Sequence, residues 1–349
     1  MQQMTDDDAT KIPVVIITGF LGSGKTTLLN FLVKQPDLKS TAVIINEFGE
    51  IGIDHLLVET SSEKMIEINN GCICCTIRGD LQDKLGSLAM WLDTGRLPPV
   101  DRVIVETTGL ADPAPIMHTL MTDEHLLNRY RLSGVVTLID AITGLSSLNR
   151  FPEAVKQIAI ADQLIFSKTD LVDSLSDRDS YVKLRKRVKE INSRAIIHDV
   201  VKGEIDASTL LRQEINESER AIDDIRVWSR SAVEIPDANA HIHDTARCDI
   251  KTFAIELAKP VDRDQFNEFL QALAIEFGEN LLRMKGILHV IDRPEQPAVI
   301  HGVQHVFFPI LWLDEWPSKE RTSTLVFITQ GLEPAIIQAR FNETFADYL

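Results

Sequence analysis

The stretch PVVIITGFLGSGKTTLLNFLV, Pro13 to Val33, decides the fold of this 349-residue chain. Its opening run PVVIIT is typical of a buried strand, and its closing run TLLNFLV is typical of a helix. The loop between them, GFLGSGKT, matches the pattern G-x-x-x-x-G-K-[ST]. In that pattern, backbone N–H groups and the positive end of the helix face a phosphate group. The sequence therefore predicts a P-loop that holds a nucleoside triphosphate.

Two side chains of this loop carry chemistry beyond the backbone. Lys25 is expected to reach the β- and γ-phosphates, and the Thr26 hydroxyl is expected to ligate Mg²⁺. The glycines are expected to let the backbone fold tightly around the phosphates. An accidental Lys-Thr after a glycine-rich turn is the alternative, and the flanking strand and helix argue against it.

Composition excludes several classes of protein. The net charge of −16 and the lack of a dense Lys/Arg stretch argue against a nucleic-acid partner. No apolar run approaches the roughly 18 residues of a membrane span, so we expect no membrane association. Four cysteines, three of them within four positions, do not form a disulfide scaffold and indicate metal or redox chemistry in a reducing cytosol. We therefore expect a cytoplasmic protein.

The rhythm of apolar runs predicts two domains. Strand-like and helical runs alternate through residues 13–213, which is typical of a doubly wound, mostly parallel α/β sheet. Residues 214–247 are polar and irregular, which indicates a linker, and the acidic residues 1–12 indicate a flexible tail. From 248 to 349, several strands and two helices predict a smaller α+β domain with its helices on one face of a sheet.

The strand-like run RVIVETTG supplies a second set of candidate residues. Open α/β sheets bind ligands at the carboxyl ends of their strands. Glu106 at this strand end can orient Mg²⁺ through water, and the N–H of Gly109 can meet the γ-phosphate. A solvent-facing acidic residue is the alternative for Glu106.

The run QLIFSKTD predicts how the base is read. Asp170 can accept the N1–H and N2–H₂ donors of guanine, whereas adenine would present a lone pair to the same carboxylate. At ~1.5–3 kcal/mol for each hydrogen bond to a charged group, this favours guanine. Lys168 would lie along the base plane. Ser167 stands where the more familiar motif has Asn, and we expect it to brace the loop less strongly.

An acidic stretch follows the second strand-like run. INEFGEIGIDH, Ile45 to His55, holds Glu47, Glu50 and Asp54. A mobile loop of this kind can touch Mg²⁺ or position water, as switch segments do. A solvated acidic turn remains the alternative, and the sequence does not decide which carboxylate acts.

The cysteine cluster NNGCICCTIRGDL places Cys72, Cys74 and Cys75 on one short segment. Thiolates prefer Zn²⁺, Cu⁺ and Fe–S clusters to hard cations, and do not separate Zn²⁺ from Co²⁺ or Fe²⁺. The spacing is not that of a four-ligand zinc finger. Two or three thiolates would bind, and Glu50, His55 or a ligand of a partner would complete the shell. A redox-active pair and buried, unreactive thiols are the alternatives.

Together these segments carry a resemblance to a known family. GFLGSGKTTLLN, INEFGE, GCICCT, ETTGLADP and SKTD, in this order, resemble the CobW-type P-loop GTPases, a family of metal chaperones and metalloenzyme activators. The resemblance extends to the tail domain, whose CDIKTF, LLRMKG and TLVFI segments look like the family's C-terminal domain. By this resemblance the three cysteines are the metal-binding motif, and Glu106 belongs to the Walker B-like segment.

The resemblance also assigns the nucleotide contacts. It implies that GTP and Mg²⁺ are held by the loop from Gly19 to Thr27, and that Lys168 and Asp170 hold the base. The residues expected to bind the nucleotide are Gly19, Gly22, Ser23, Gly24, Lys25, Thr26, Thr27, Gly109, Lys168 and Asp170. The catalytic candidates are Lys25, Thr26, Glu47 and Glu106, and the metal candidates are Cys72, Cys74, Cys75 and Glu50, with Thr26 for Mg²⁺.

Three hypotheses follow for the function. The first is a cytosolic GTPase that binds a transition metal, with Zn²⁺ ahead of Co²⁺ and Fe²⁺, and delivers it to a client metalloprotein. The second is a P-loop kinase or ATPase whose cysteines sense redox state. The third is an interaction module with a vestigial pocket, which the complete set of P-loop side chains disfavours. The identity of the client and the oligomeric state, with a homodimer among the options, stay open.

Overall fold

The computed structural model describes residues 11–46, 66–68, 72–75, 81–193, 195–211, 249–308, 310–316 and 321–346. The chain divides into two compact units. Of the described residues, the first unit comprises those between 11 and 186 and between 195 and 211, and the second comprises those from 187 to 193 and from 249 to 346. The linker expected at 214–247 lies outside the described residues, as do the first ten residues of the expected tail.

The first unit is an α/β structure. Its strands are β1 (Ile12–Gly19), β2 (Thr41–Asn46), β3 (Ile66–Ile68), β4 (Cys72–Cys75), β5 (Arg102–Thr107), β6 (Tyr130–Asp140), β7 (Gln163–Ser167) and β8 (Ile196–Val200). The helices between and after them are α1 (Lys25–Leu32), α2 (Leu81–Asp93), α3 (Ala114–Thr122), α4 (Glu124–Leu127), α5 (Gly144–Arg150), α6 (Pro152–Ala159), α7 (Leu175–Ile191) and α8 (Ala207–Leu210).

The sheet of this unit has the strand order β3-β4-β2-β5-β1-β6-β7-β8. The pairs are parallel except β3–β4, which is antiparallel. After β1 the chain builds one side of the sheet through β2, β4 and β5, and then the other side through β6, β7 and β8. The order therefore reverses at β1, and a ligand crevice is expected at its carboxyl end. The doubly wound, mostly parallel sheet expected from the sequence is confirmed.

Burial explains why the central strands read as continuous apolar runs. All six residues of β5 are buried, and so are the last seven of β1. Helices on both sides of a parallel sheet leave neither face exposed to solvent. The residues of a central strand therefore do not alternate between apolar and polar. The edge strand β8 was not expected from the sequence, because its residues Ile196, His198 and Asp199 are partly or fully exposed and its pattern is correspondingly mixed.

The second unit is an antiparallel sheet with two helices, of 15 and 11 residues. Its strands are β9 (Ile250–Leu257), β10 (Leu281–Leu288), β11 (Ala298–Val303), β12 (Val306–Phe307), β13 (Leu311–Trp312) and β14 (Ser323–Gln330). Its helices are α9 (Arg263–Phe277) and α10 (Pro334–Thr344). The strand order is β12-β11-β10-β14-β9, with β13 paired to β11.

The two faces of this sheet bury different clusters. Strand residues such as Leu325 and Phe327 pack with α9 and α10 in one cluster, whereas the intervening Val326 packs with Leu313 in another. This period of two is expected for a strand. Both helices therefore cover the same face, and the α+β arrangement expected from the sequence is confirmed.

The run AVIHGVQHVFF, Ala298 to Phe308, predicts one strand by its apolar and β-branched content. It folds instead as β11 and β12, which pair with each other antiparallel around a turn. Gln304 in this turn has a φ of 51°, a left-handed conformation that cannot continue a strand. Among the described residues, no helix is long and apolar enough to cross a membrane.

The phenyl cluster between α9 and α10 generates a stability prediction. Phe269 is buried and contacts the rings of Phe266, Phe341 and Phe345. Phe269→Ala should lower the free energy of unfolding by about 3–5 kcal/mol, because it removes buried apolar area and leaves a cavity. Urea unfolding followed by tryptophan fluorescence measures this. On the same helix, Ile275 is 83% exposed, so Ile275→Ala should change stability by less than about 0.5 kcal/mol. Equal effects of the two variants would contradict the described packing.

Candidate functional site

The loop between β1 and α1 is a tight turn that requires its glycines. Gly19, Gly22 and Gly24 have φ values of 140°, 75° and 93°, a region that other residues rarely adopt. At Gly19 a Cβ atom would also lie 2.4 Å from the carbonyl oxygen of Leu138 in β6. Backbone conformation therefore requires all three glycines, and close packing on the neighbouring strand is a second requirement at Gly19.

Lys25 lies inside the curve of this loop. Its side chain is buried, and Nζ donates to the carbonyl oxygens of Gly19 at 2.8 Å and Phe20 at 3.3 Å. A buried ammonium group requires such oxygen partners. The loop thus holds a positive charge at the amino end of α1, where the helix itself favours an anion.

Thr26 in the first turn of α1 and Glu106 near the end of β5, predicted from two separate motifs, come together in the structure. The Thr26 hydroxyl donates to Glu106 Oε1 at 3.1 Å. One residue after Glu106, Thr107 Oγ1 donates to Oγ1 of Thr18 in β1 at 2.8 Å, and both threonines are buried. Hydroxyl and carboxylate oxygens are the ligands that Mg²⁺ prefers. The side chain of Thr27 is exposed in the same turn of α1.

Gly109 lies against the phosphate loop from the β5 side. A Cβ atom on Gly109 would approach the backbone N of Leu21 to 2.6 Å. Any side chain at this position would therefore push the ETTG segment away from the loop. The structure places Gly109 beside the phosphate loop, and its contact with a γ-phosphate stays a prediction.

The SKTD segment lies on the other side of the loop, after β7. Ser167 Oγ donates to the carbonyl oxygen of Ser23 at 2.7 Å, so this serine does brace the phosphate loop. Lys168 has a left-handed backbone, with a φ of 58°. Asp170 is exposed in the 3₁₀ turn Thr169–Leu171 that follows. The segment thus leaves the sheet beside the phosphate loop and presents its carboxylate to solvent.

Asp140 is a residue of this site that the sequence reasoning missed. It ends β6, is 7% exposed, and its Oδ2 accepts from Lys168 Nζ at 2.7 Å. Its Oδ1 accepts from the backbone N–H groups of Ile142 at 2.8 Å and Thr143 at 3.2 Å. The acidic residue that closes the run GVVTLID was the available signal, because strand ends point at the ligand crevice.

The charge state of Asp140 follows from these contacts. Burial by itself raises the pKa of this carboxyl, but the hydrogen bond from Lys168, the two backbone N–H donors and the charge of Lys168 outweigh it and lower the pKa below its usual range. Asp140 is therefore a carboxylate at neutral pH and fixes the position of the Lys168 ammonium.

A polar and aromatic cluster packs side chains of α7 and β8 against β7. The guanidinium of Arg185 lies 5.1 Å from the ring centroid of Phe166 and donates to Asp199 Oδ1 at 2.6 Å. It also donates to the hydroxyl of Tyr181 at 2.8 Å. Burial and the hydrogen bond to Asp199 raise the pKa of Tyr181 to about 12. This cluster joins α7 to β7 and β8 immediately before the SKTD segment.

The three clustered cysteines lie on strand β4, in the same sheet as the phosphate loop. β4 runs parallel to β2, with Cys75 opposite Ile44, and Ile44 is in turn opposite Val105 of β5. Val105 directly precedes Glu106. Since neighbouring strands are about 4.8 Å apart, the backbone of Cys75 lies about 10 Å from that of Val105.

Several predicted metal ligands fall outside what the structure describes. Glu47, Glu50 and His55 are outside the described residues, and of Cys72, Cys74 and Cys75 only the backbone is described. Among the described side chains, no group of three His, Cys, Asp or Glu forms a metal cluster. The metal-binding roles of these residues stay predictions.

Comparison with known proteins agrees with this architecture. A family model described as "CobW/HypB/UreG, nucleotide-binding domain" matches residues 13–199, and one described as "Cobalamin synthesis protein cobW C-terminal domain" matches residues 250–345. The zinc chaperone YjiA of Escherichia coli (strain K12) is 34% identical over 330 residues, which cover 95% of this chain and 98% of that protein.

Two further relatives extend the comparison. The zinc-regulated GTPase metalloprotein activator 1 of Schizosaccharomyces pombe is 29% identical over 364 residues, covering 96% of this chain and 84% of that protein. The crystal structure of the Zn(II)-bound YjiA GTPase from E. coli matches with a TM-score of 0.71 at 32% identity, covering 96% of this chain and 99% of that chain.

The pair of Asp140 and Lys168 generates a pH-dependent prediction. Asp140→Asn should lower the free energy of unfolding by ~1.5 kcal/mol at pH 7, because a buried charge-assisted hydrogen bond is lost. Since folding lowers the pKa of this carboxyl, its contribution is complete above the unfolded-state pKa of about 4 and is lost as the pH falls through the folded-state value. Urea unfolding of the wild type and of Asp140→Asn, at pH 7 and below pH 4, measures how far the difference in their free energies of unfolding shrinks in acid.

A matched control for this prediction is the exposed pair of Asp179 and Lys183, whose side chains are both 64% exposed. Asp179→Asn should cost only about 0.3–0.5 kcal/mol at pH 7. A cost for Asp140→Asn that is no larger than this, or that does not shrink in acid, would contradict the assigned role of the carboxylate.

Proposed function

The chain belongs to the CobW/HypB/UreG family, and from this premise we propose that it is a GTPase that binds zinc and delivers it to a client metalloprotein. The relatives named as a zinc chaperone and as a zinc-regulated GTPase metalloprotein activator support both halves of this proposal. Zinc is the cargo in this proposal, and Co²⁺ and Fe²⁺ are alternatives with similar ligands. We place the protein in the cytoplasm and leave open whether it forms a homodimer.

The phosphate site supports the nucleotide half of the proposal. The loop from Gly19 to Thr27 would hold the phosphates, with Lys25 leaving its loop carbonyls to contact the β- and γ-phosphates. Thr26 and Glu106, which already share a hydrogen bond, would hold Mg²⁺. When bound, Mg²⁺ supplies neutralisation of the charge that develops on the phosphates. Glu47 is our candidate for positioning the attacking water.

Lys168 and Asp170 support guanine as the base. In the proposal, Asp170 accepts from N1–H and N2–H₂ of guanine, and the stem of Lys168 lies along the base plane. Asp140 fixes the Lys168 ammonium, and Ser167 ties the segment to the phosphate loop. The base and the phosphates would therefore be held by one connected set of contacts.

The single observation that carries the metal half is the register of β4, β2 and β5. It places the cysteine strand two strands from β5, which holds Glu106 as its penultimate residue. Thiolates of Cys72, Cys74 and Cys75 would bind the zinc, with Glu50 as a further ligand. The segment that holds Glu47 and Glu50 connects the end of β2 to β3, and hence to this strand. Because the backbone of Cys75 lies about 10 Å from that of Val105, a change at the nucleotide would have a short path to the metal site.

Removal of Lys25 tests the nucleotide half. Lys25→Ala should lower kcat for GTP hydrolysis about 100-fold, because a preorganised positive charge at the phosphates is lost. A phosphate-release assay with GTP and Mg²⁺ measures this. Lys39→Ala, which changes an exposed lysine beyond α1, should keep wild-type activity. If ATP outcompeted GTP in the wild-type protein, a P-loop kinase or ATPase with redox-sensing cysteines would replace this proposal.

Removal of the three thiols tests the metal half. The wild-type protein should bind about one Zn²⁺, and the combined change Cys72→Ser, Cys74→Ser and Cys75→Ser should weaken binding at least 100-fold, because a serine hydroxyl is a poor ligand for this metal. Competition with a chromophoric zinc chelator measures the affinity. Cys248→Ser, which changes the fourth cysteine, should bind zinc as the wild type does. Unchanged binding in the triple variant would reject the cysteine assignment.

A further inference from the structure

Helix α6 contacts both the phosphate loop and the segment that follows β5. Phe151, which precedes α6, stacks on Phe20 of the loop with ring centroids 4.6 Å apart. Near the other end of α6, Lys156 Nζ lies 3.2 Å from Asp112 Oδ2. One short helix therefore touches the two segments that would surround the terminal phosphate.

Gln157, the neighbour of Lys156, holds the second of these segments through its side-chain amide. It is fully buried, and its Nε2 donates to the carbonyl oxygens of Gly109 at 3.2 Å and Ala111 at 2.9 Å. The backbone carbonyl oxygen of Gln157 accepts a hydrogen bond from Thr137 Oγ1 in β6 at 2.7 Å. Both amide hydrogens are thus committed to the Gly109–Ala111 segment, and the helix is itself fixed to the sheet.

The hydrogen bond from Gln157 to Gly109 matters because Gly109 also packs against the phosphate loop. Its Cα lies against the backbone of Leu21, with no room for a Cβ atom, while Gln157 holds its carbonyl oxygen. The segment is therefore fixed from two sides, by the phosphate loop and by α6. A shift of the Gly109 carbonyl would move the residue whose N–H is predicted to meet the γ-phosphate.

Gln157 also lies close to the phosphate loop itself. Gln157 and Ser23 both line a cavity of about 20 Å³ that Phe20 and Leu21 complete on the loop side. Among the described residues, neither Gln157 Oε1 nor Ser23 Oγ has a hydrogen-bond partner, although both atoms are buried. Gln157 therefore lies close to the phosphate loop while its Nε2 holds the Gly109–Ala111 segment.

We propose that Gln157 is a positioning residue for the γ-phosphate: it holds the Gly109–Ala111 segment so that the Gly109 N–H is aimed at that group. This inference rests on the proposed function, since the γ-phosphate belongs to the proposed substrate. The diphosphate product lacks the group that the segment is aimed at. Loss of the amide therefore affects binding of the triphosphate and its hydrolysis, and leaves binding of the diphosphate in place.

Gln157→Met tests this, because it keeps the length of the side chain and removes both donated hydrogen bonds. Affinities for GDP and for the non-hydrolysable analogue GMPPNP are measured by displacement of a fluorescent GDP, and kcat is measured at saturating GTP. GMPPNP affinity and kcat should each fall about tenfold, an effect the size of one lost hydrogen bond. GDP affinity should stay within about twofold of the wild type.

Gln35→Met is the matched control. Gln35 also links backbone groups through its amide, donating to the carbonyl oxygen of Ile205 at 2.8 Å and accepting from the N–H of Ala207 at 2.8 Å. It lies beyond the far end of α1, so its removal should leave both affinities and kcat unchanged. An equal loss in the control would assign the effect to general loosening of the fold.

Two results would overturn the inference: equal losses of GDP and GMPPNP affinity in Gln157→Met, or no loss of either GMPPNP affinity or kcat. Should Gln157→Met fail to fold, Gln157→Asn gives the same comparison. It keeps a neutral polar amide, but it is one methylene group shorter and so loses the reach to the Gly109 and Ala111 carbonyl oxygens. A wild-type protein that hydrolyses no GTP would reject the proposed function, while the ratio of GDP to GMPPNP affinity would still test Gln157.

Discussion

The structure depends on the close packing of the phosphate loop against the three strands around it. Gly19 has no room for a side chain beside Leu138 of β6, and Gly109, beyond the end of β5, has none beside Leu21. On the β7 side, Ser167 donates to the backbone of the loop. Because carboxyl ends of parallel strands meet at one edge of a sheet, these contacts gather residues that are distant in sequence. A loop held from three sides offers an anion a preformed site.

Two buried charges in this site, those of Lys25 and Asp140, have oriented partners. Lys25 is held by loop carbonyls, and Asp140 by Lys168 and two backbone N–H groups. An isolated buried charge costs far more free energy than one hydrogen bond returns, so such groups persist only when paired. The pairing explains how a site for a highly charged nucleotide can form before the nucleotide arrives, with Lys25 exchanging loop oxygens for phosphate oxygens.

Sequence patterns predicted the parts of the structure that depend on local chemistry. The glycines, the buried strands and the separate motifs of Thr26 and Glu106 could be read directly, since each follows from backbone conformation or continuous burial. Asp140 could be recognised only as an acidic residue at a strand end, and Gln157 gave no signal. Their roles arise from contacts with Lys168, which is 28 positions from Asp140, and with Gly109 and Ala111, which are 48 and 46 positions from Gln157. The mixed pattern of the edge strand β8 gave no period to read, and the turn at Gln304 depends on a single left-handed residue.

The proposed function requires the nucleotide and the cysteine strand to act on each other through one sheet, and the direct test is the zinc affinity of the wild-type protein with GDP and with GMPPNP. Coupling between two sites is typically ~1–3 kcal/mol, so the two affinities should differ by about 5- to 150-fold. By linkage, zinc should change the ratio of GMPPNP to GDP affinity by the same factor. Zinc affinities that are equal with both nucleotides would contradict the account.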